Sequence, residues 1–107
     1  KMKNMKVLKC GGNMYVILVY DINLEDKEGP KVLRKVFKTC KKYLVHIQNS
    51  VFEGELLDSQ AIKLKSELDQ YIRKEKDSVI LFKSRNKRWM EKEFFGMIED
   101  DKTDNFL

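Results

Sequence analysis

The sequence predicts an α+β fold, two helices against one face of an antiparallel sheet, on three observations. A nearly unbroken run of β-branched and aromatic residues extends from Met14 to Ile22. Two later segments repeat apolar residues every three or four positions. The length of 107 residues is enough for one compact domain and too few for two ordinary ones.

Met14 to Ile22 reads as a central strand covered on both faces, because continuous apolar character leaves no side of the pleat for water. Glu28-Gly29-Pro30 then marks a helix start, where proline lacks an N–H that the first turn could not have paired. That helix runs from about Pro30 to Tyr43. Val32, Leu33, Val36, Phe37, Cys40 and Leu44 form its buried stripe, and Lys31, Arg34, Lys35, Lys38, Lys41 and Lys42 take its other faces. Val45 to Gly54 is rich in strand formers with a possible tight turn at Asn49-Ser50, and reads as one bent strand or a short hairpin. Asp58 or Ser59 caps a second helix, about Ser59 to Lys74, with Ala61, Ile62, Leu64, Leu68, Tyr71 and Ile72 as its stripe. Ser78 to Phe82 is another buried strand, followed by a basic turn from Lys83 to Arg88.

This order is the ferredoxin-like β-α-β-β-α-β pattern. A last apolar piece, Phe94 to Ile98, has no place among four strands. It is expected to form a further C-terminal strand that extends an edge or crosses to a partner, which makes a two-fold homodimer the expected assembly. Residues 14–107 are read as a single domain and 1–13 as a flexible N-terminal extension.

At 42% hydrophobic and 36% charged residues, the chain can build a core. No stretch approaches the roughly 18 consecutive apolar residues of a membrane-crossing helix, and the lysine-rich start has no apolar h-region or cleavage site. A cytoplasmic protein with no membrane partner is expected. Cys10 and Cys40 are too far apart for a metal knuckle and give no disulfide framework; Cys40 reads as core.

The formal charge is +5, but Lys1, Lys3, Lys6 and Lys9 supply four of those charges, leaving +1 from Met14 onward. Distribution says more than the total. Pro30 to Phe52 contains no Asp or Glu, while six cations crowd into its first half. Such concentration is what phosphate binding requires, and an ordinary solvated helix face is the competing reading.

His46 is the only histidine, and nothing resembles a P-loop, a dinucleotide glycine fingerprint, a zinc knuckle or a serine nucleophile elbow. What remains is a carboxylate-held divalent cation. Magnesium takes one or two carboxylates plus waters and substrate phosphates, and it can activate a water for phosphodiester cleavage. Asp21 is the candidate, since an ionised group at the end of a buried strand must be solvated, paired or metal-bound. The alternative is that Asp21 only opens the loop to Gly29 and caps a turn. One aspartate per chain is thin for a metal; a two-fold dimer would supply two.

The strand Tyr15 to Ile22 ending in Tyr20-Asp21, the basic helix after it, the segment Gln48-Asn49-Ser50-Val51-Phe52-Glu53-Gly54-Glu55-Leu56, the strand Ser78 to Phe82 and the ending Thr103-Asp104-Asn105-Phe106 together resemble one family. It is CRISPR-associated protein two, the small adaptation proteins also described as CRISPR-associated endoribonucleases. The resemblance spans about Met14 to Leu107, and its specificity lies in the pairing of Tyr-Asp with Gln-x-Ser-Val-Phe-Glu-Gly. It implies a ferredoxin-like homodimer in which Asp21 faces its mate across the two-fold axis and binds magnesium or manganese. Ser50 and Phe52 match the family's Ser and Phe near that site and complete the expected catalytic set.

The resemblance further implies metal-dependent cleavage of single-stranded RNA or double-stranded DNA. It also implies a scaffolding role, the dimer bridging two dimers of the CRISPR integrase and holding DNA during spacer acquisition. Lys31, Arg34, Lys35 and Lys38 would meet the nucleic acid backbone. The alternative is a non-catalytic DNA-binding assembly factor of the integrase complex. Two departures stand out: Asn49 occupies a position that is often aromatic in the family, and lysines replace many of the usual arginines on the first helix. Lys1 to Asn13 precedes the usual family start, which falls at Met14.

Overall fold

A computed structural model describes residues 13–85 and 91–96 of the chain, with β1 (Met14–Asp21), α1 (Gly29–Tyr43), β2 (Val45–Gln48), β3 (Val51–Leu56), α2 (Asp58–Asp69) and β4 (Ser78–Ser84). The strands form one sheet in the order β2-β3-β1-β4, every neighbouring pair antiparallel. β3 sits between β1 and β2, which is the split β-α-β arrangement of the ferredoxin-like fold.

Alternation along β1 decides where the core lies. Met14, Val16, Leu18, Tyr20 and Ile22 are buried in one cluster with Val32, Val36 and Cys40 of α1, Phe52 and Leu56 of β3, and Ala61, Leu64 and Leu68 of α2. Ile17 and Val19 point the other way and are only half-buried; they pair in register with Phe82 and Ile80, both about half exposed. The expectation of strands covered on both faces is therefore corrected. Helices cover one face, and the helix-free face carries an apolar patch of Ile17, Val19, Val51, Ile80 and Phe82.

Helix α1 matches its reading closely. Its N-terminus is capped from the preceding loop: the Gly29 N–H donates to Asp26 Oδ1 at 2.9 Å. A Cβ at Gly29 would lie 2.4 Å from the carbonyl oxygen of Asn23, so only glycine lets that loop press against the helix start. Cys40 is fully buried and burial pushes its thiol up to about 12, which makes it an inert core residue.

Val45 to Leu56 is a hairpin, and its turn is Asn49-Ser50. Asn49 has φ +41°, a left-handed conformation that asparagine tolerates. His46 Nε2 donates to the Asn49 carbonyl at 2.7 Å and pins the turn, and its ring lies 4.8 Å from Phe37 and 4.7 Å from Phe52.

Helix α2 ends at Asp69, five residues before the expected Lys74. The reason is that the Arg73 N–H, which would have continued the ladder, donates instead to Asp77 Oδ2 at 2.9 Å. Neither Asp58 nor Ser59 caps its start; the Gln60 side-chain oxygen accepts the Leu57 N–H at 2.8 Å. Ile62 is 64% exposed, because the buried stripe runs Ala61, Leu64, Leu68 and leaves it one step round the helix. Phe94 to Gly96 makes no ladder pairing, and Met97 and Ile98 lie outside the described residues, as do residues 1–12, 86–90 and 99–107. Among the described residues no helix is long and apolar enough to cross a membrane.

Candidate functional site

Strand direction brings Asp21, at the end of β1, to the same end of the sheet as the Asn49-Ser50 turn and the start of β4. The Tyr20 N–H donates to the Ser50 carbonyl at 3.1 Å, and Asp21 pairs in register with Ser78. By alternation Asp21 follows Ile17 and Val19 onto the helix-free face. It is exposed, and its carboxylate has no hydrogen-bond or ion-pair partner among the described residues. Tyr20 beside it points into the core, where burial pushes its hydroxyl up to about 12 and keeps it neutral.

Phe52 lies beneath this end of the sheet and not at its surface. Its side chain has no exposed surface and packs between the rings of Tyr20 at 6.0 Å, Phe37 at 5.5 Å and His46. Phe52 therefore supports the site through packing, without access to a substrate. Ser50 is half-buried in the turn.

The carboxylate inventory tests whether a metal fits. Among the described residues no group of three or more His, Cys, Asp or Glu converges. One exposed, unpaired aspartate suits a cation that keeps most of its waters, and a second copy's Asp21 would raise the carboxylates to the two that magnesium commonly takes.

Helix α1 presents two grooves. One, of about 500 Å³, lies between α1 and the hairpin turn and is lined by Tyr20, Leu33, Arg34, Phe37, Lys38, Asn49 and Ser50. The other, of about 630 Å³, faces α2 and is lined by Lys31, Arg34, Lys35, Lys38, Thr39, Lys42 and Tyr71. All four cations singled out from the sequence line this second groove. Lys35 Nζ sits 5.3 Å from the centre of the Tyr71 ring, and Lys42 is engaged by Glu67 at 2.5 Å. Arg34 and Lys38 border both grooves.

The sequence reading missed a charged clamp behind Asp21. Arg73 Nη1 lies 2.7 Å from both carboxylate oxygens of Asp26, and its Nη2 donates to the Asn23 carbonyl at 2.8 Å and to Asp77 at 3.0 Å. Asp77 also accepts the Asn23 N–H at 2.9 Å. The clamp ties the β1–α1 loop, which begins right after Asp21, to the segment entering β4. Hydrogen bonds from Arg73 hold Asp77 down at about 2 and hold Asp26 well below the usual carboxylate range. Two acids and an arginine outside any apolar stripe looked like ordinary surface charge; the only signal was Arg73 and Asp77 four apart, immediately before a strand.

A second buried acid was also missed. Glu53 on the helix-free face accepts a hydrogen bond from the Tyr15 hydroxyl and pairs with Lys92. Burial, and then the Glu53 carboxylate, push the Tyr15 hydroxyl well above its ordinary value.

Comparison with known proteins adds an independent line. Residues 14–92 match the family model described as CRISPR associated protein Cas2. A Fusobacterium nucleatum protein named CRISPR-associated endoribonuclease Cas2 is 58% identical over 106 residues, covering 98% of each chain. A Moorella thermoacetica protein named CRISPR-associated endoribonuclease Cas2 2 is 42% identical over 86% of this chain and 100% of its own. Among solved structures, one titled as the crystal structure of cas2 superposes with a TM-score of 0.71 at 34% identity, covering 82% of this chain and 92% of that one. Streptococcus pyogenes Cas2 superposes with a TM-score of 0.63 at 34% identity, covering 75% and 99%.

Proposed function

The chain belongs to the CRISPR-associated Cas2 family, and from that premise we propose that it is a metal-dependent endonuclease of CRISPR adaptation that cuts nucleic acid phosphodiesters and also binds DNA for the integrase. The observation that carries this reading is Asp21: an exposed carboxylate without a partner among the described residues, at the end of the sheet it shares with Ser50. An aspartate kept only to cap a turn would be engaged with the backbone it caps, as Asp26 is.

In this reading two copies pack their helix-free faces together, burying Ile17, Val19, Ile80 and Phe82 and bringing the two Asp21 carboxylates across the axis. Asp21 and its mate would hold magnesium or manganese, which when bound supplies charge neutralisation and an activated water. The Ser50 hydroxyl orients a phosphate oxygen at the rim, and Phe52 keeps the hairpin turn at its height beside Tyr20. Lys31, Arg34, Lys35 and Lys38 take the phosphodiester backbone of RNA or double-stranded DNA.

A second reading, a DNA-binding assembly factor for which Asp21 is not needed, draws on one observation. The cation groove lies on the helix layer, whereas Asp21 faces the opposite side of the sheet, so backbone binding does not require the carboxylate. Magnesium-dependent cleavage of labelled single-stranded RNA and double-stranded DNA, by wild type and Asp21→Ala checked for equal assembly, separates the two. Loss of cleavage in the variant alone is the expected result. Equal cleavage by both removes Asp21 from the chemistry, and tight DNA binding without cleavage by either leaves the assembly role.

A further inference from the structure

The groove between α1 and the hairpin turn is not explained by backbone contacts. Tyr20, Leu33 and Phe37 line it together with Arg34, Lys38, Asn49 and Ser50, its surface is almost wholly apolar, and Arg34 and Lys38 bring two cations to its border. Its volume of about 500 Å³ falls within the range of roughly 300–1,000 Å³ usual for small-ligand sites. A groove serving phosphates alone would have no use for an apolar floor, and one serving an apolar peptide would not be rimmed by two cations in a stretch without a single acid. We propose that this groove receives an unpaired nucleobase of a single-stranded nucleic acid, held flat against Leu33 and Phe37 while Arg34 and Lys38 take the phosphates on either side.

The proposal rests on the nucleic-acid reading above and adds the substrate form to it. A base inside a duplex cannot enter, so the groove selects single strands or locally opened ones. Arg34 and Lys38 also border the neighbouring cation groove, so the backbone leaving the base is received directly by Lys31 and Lys35. Stacking on an apolar floor is tolerant of sequence, because every base has a flat π-face. The Asn49 side chain at the rim is the one amide placed to add a preference among bases.

The test is a binding comparison in EDTA, where cleavage plays no part. A short oligouridylate and a strand of equal length and charge carrying abasic riboses are titrated against wild-type protein. The base-bearing strand is expected to bind at least fivefold more tightly. Leu33→Trp, which fills the groove, is expected to erase that difference and leave abasic binding unchanged. Photocrosslinking of a 5-iodouridine strand to the wild type locates the base without any variant: adducts on Tyr20 or Phe37 support the groove. Equal affinity for the two strands, or adducts only on Phe82 of the helix-free side, would overturn the proposal. Those outcomes leave the metal reading standing, which fails separately if Asp21→Ala still cleaves.

Discussion

Arg73 Nε lies 2.9 Å from Asp77 Oδ2, and the Asp77 carboxylate has no exposed surface. Four donors converge on that carboxylate: the Arg73 and Asn23 backbone N–H groups and two nitrogens of the guanidinium. A buried charge so fully engaged is destabilising once its partner goes, because the remaining ion cannot be solvated. Arg73→Ala is expected to lower the Tm by roughly 5 °C or more. Lys74→Ala, which breaks the exposed Lys74–Asp69 pair at 3.4 Å, is expected to leave the Tm within error. Thermal unfolding by circular dichroism checks both; equal Tm values for the two variants would mean the clamp carries no special weight.

The same clamp fixes the direction of acid sensitivity. Asp77 has its pKa lowered from 3.8 to about 2 in the folded chain, and Asp26 is shifted the same way. A lowered folded pKa stabilises the fold fully above the unfolded value near 4, and that contribution fades as pH falls through the folded value. Stability is therefore expected to drop between about pH 4 and pH 2. Urea midpoints measured across that window should show a shallower decline for Asp77→Asn than for wild type, and an identical slope would contradict the assignment.

Phe52 matters through packing, so its truncation is expected to act on the fold before it acts on chemistry. Removing a fully buried ring that touches Tyr20, Phe37 and His46 should cost about 3–5 kcal/mol. Chemical denaturation of Phe52→Ala and Phe52→Leu tests this, the leucine variant being the milder of the two. Full stability in the alanine variant would return Phe52 to a direct role.

The helix-free face predicts an association state. Phe82 is 52% exposed and pairs with Ile17 across the sheet. Placing a charge there, as in Phe82→Asp, is expected to turn a dimer into a monomer in sedimentation velocity while leaving the far-ultraviolet circular dichroism unchanged. A wild type that sediments as a monomer at micromolar concentration would remove the two-fold model of the metal site.

The order of elements, the α1 stripe and the hairpin turn were legible because each rests on a local pattern: Pro30 after Gly29, period 3.6 from Val32 to Cys40, and Asn49-Ser50 between two strand-forming runs. The residues of the 630 Å³ groove were legible for the same reason, as four cations on one helix without intervening acids. What stayed hidden was non-local. Asp77 truncates α2 by capturing the Arg73 N–H, and no helix periodicity announces a competitor that arrives from the start of the next strand. Burial of alternate residues on β4 was overestimated because Val79 to Phe82 are all apolar, which reads alike for a strand covered twice and for one covered once. The 500 Å³ groove joins β1, α1 and the turn, so only the fold reveals it.

Strand β4 lies at the edge of the sheet, with four consecutive apolar residues, Val79 to Phe82, set between Ser78 and Lys83. A newly made chain therefore displays an open ladder and a greasy face at one place, the combination from which uncontrolled strand addition starts. Lys83, inside β4, and Arg85, just beyond it and paired with Asp58 at 3.1 Å, follow that run, and charges so placed are expected to disfavour the addition of a further strand. Their presence need owe nothing to nucleic acid. Lys83 thus belongs to the strand and not to the turn expected from the sequence, and its expected effect is on solubility during synthesis.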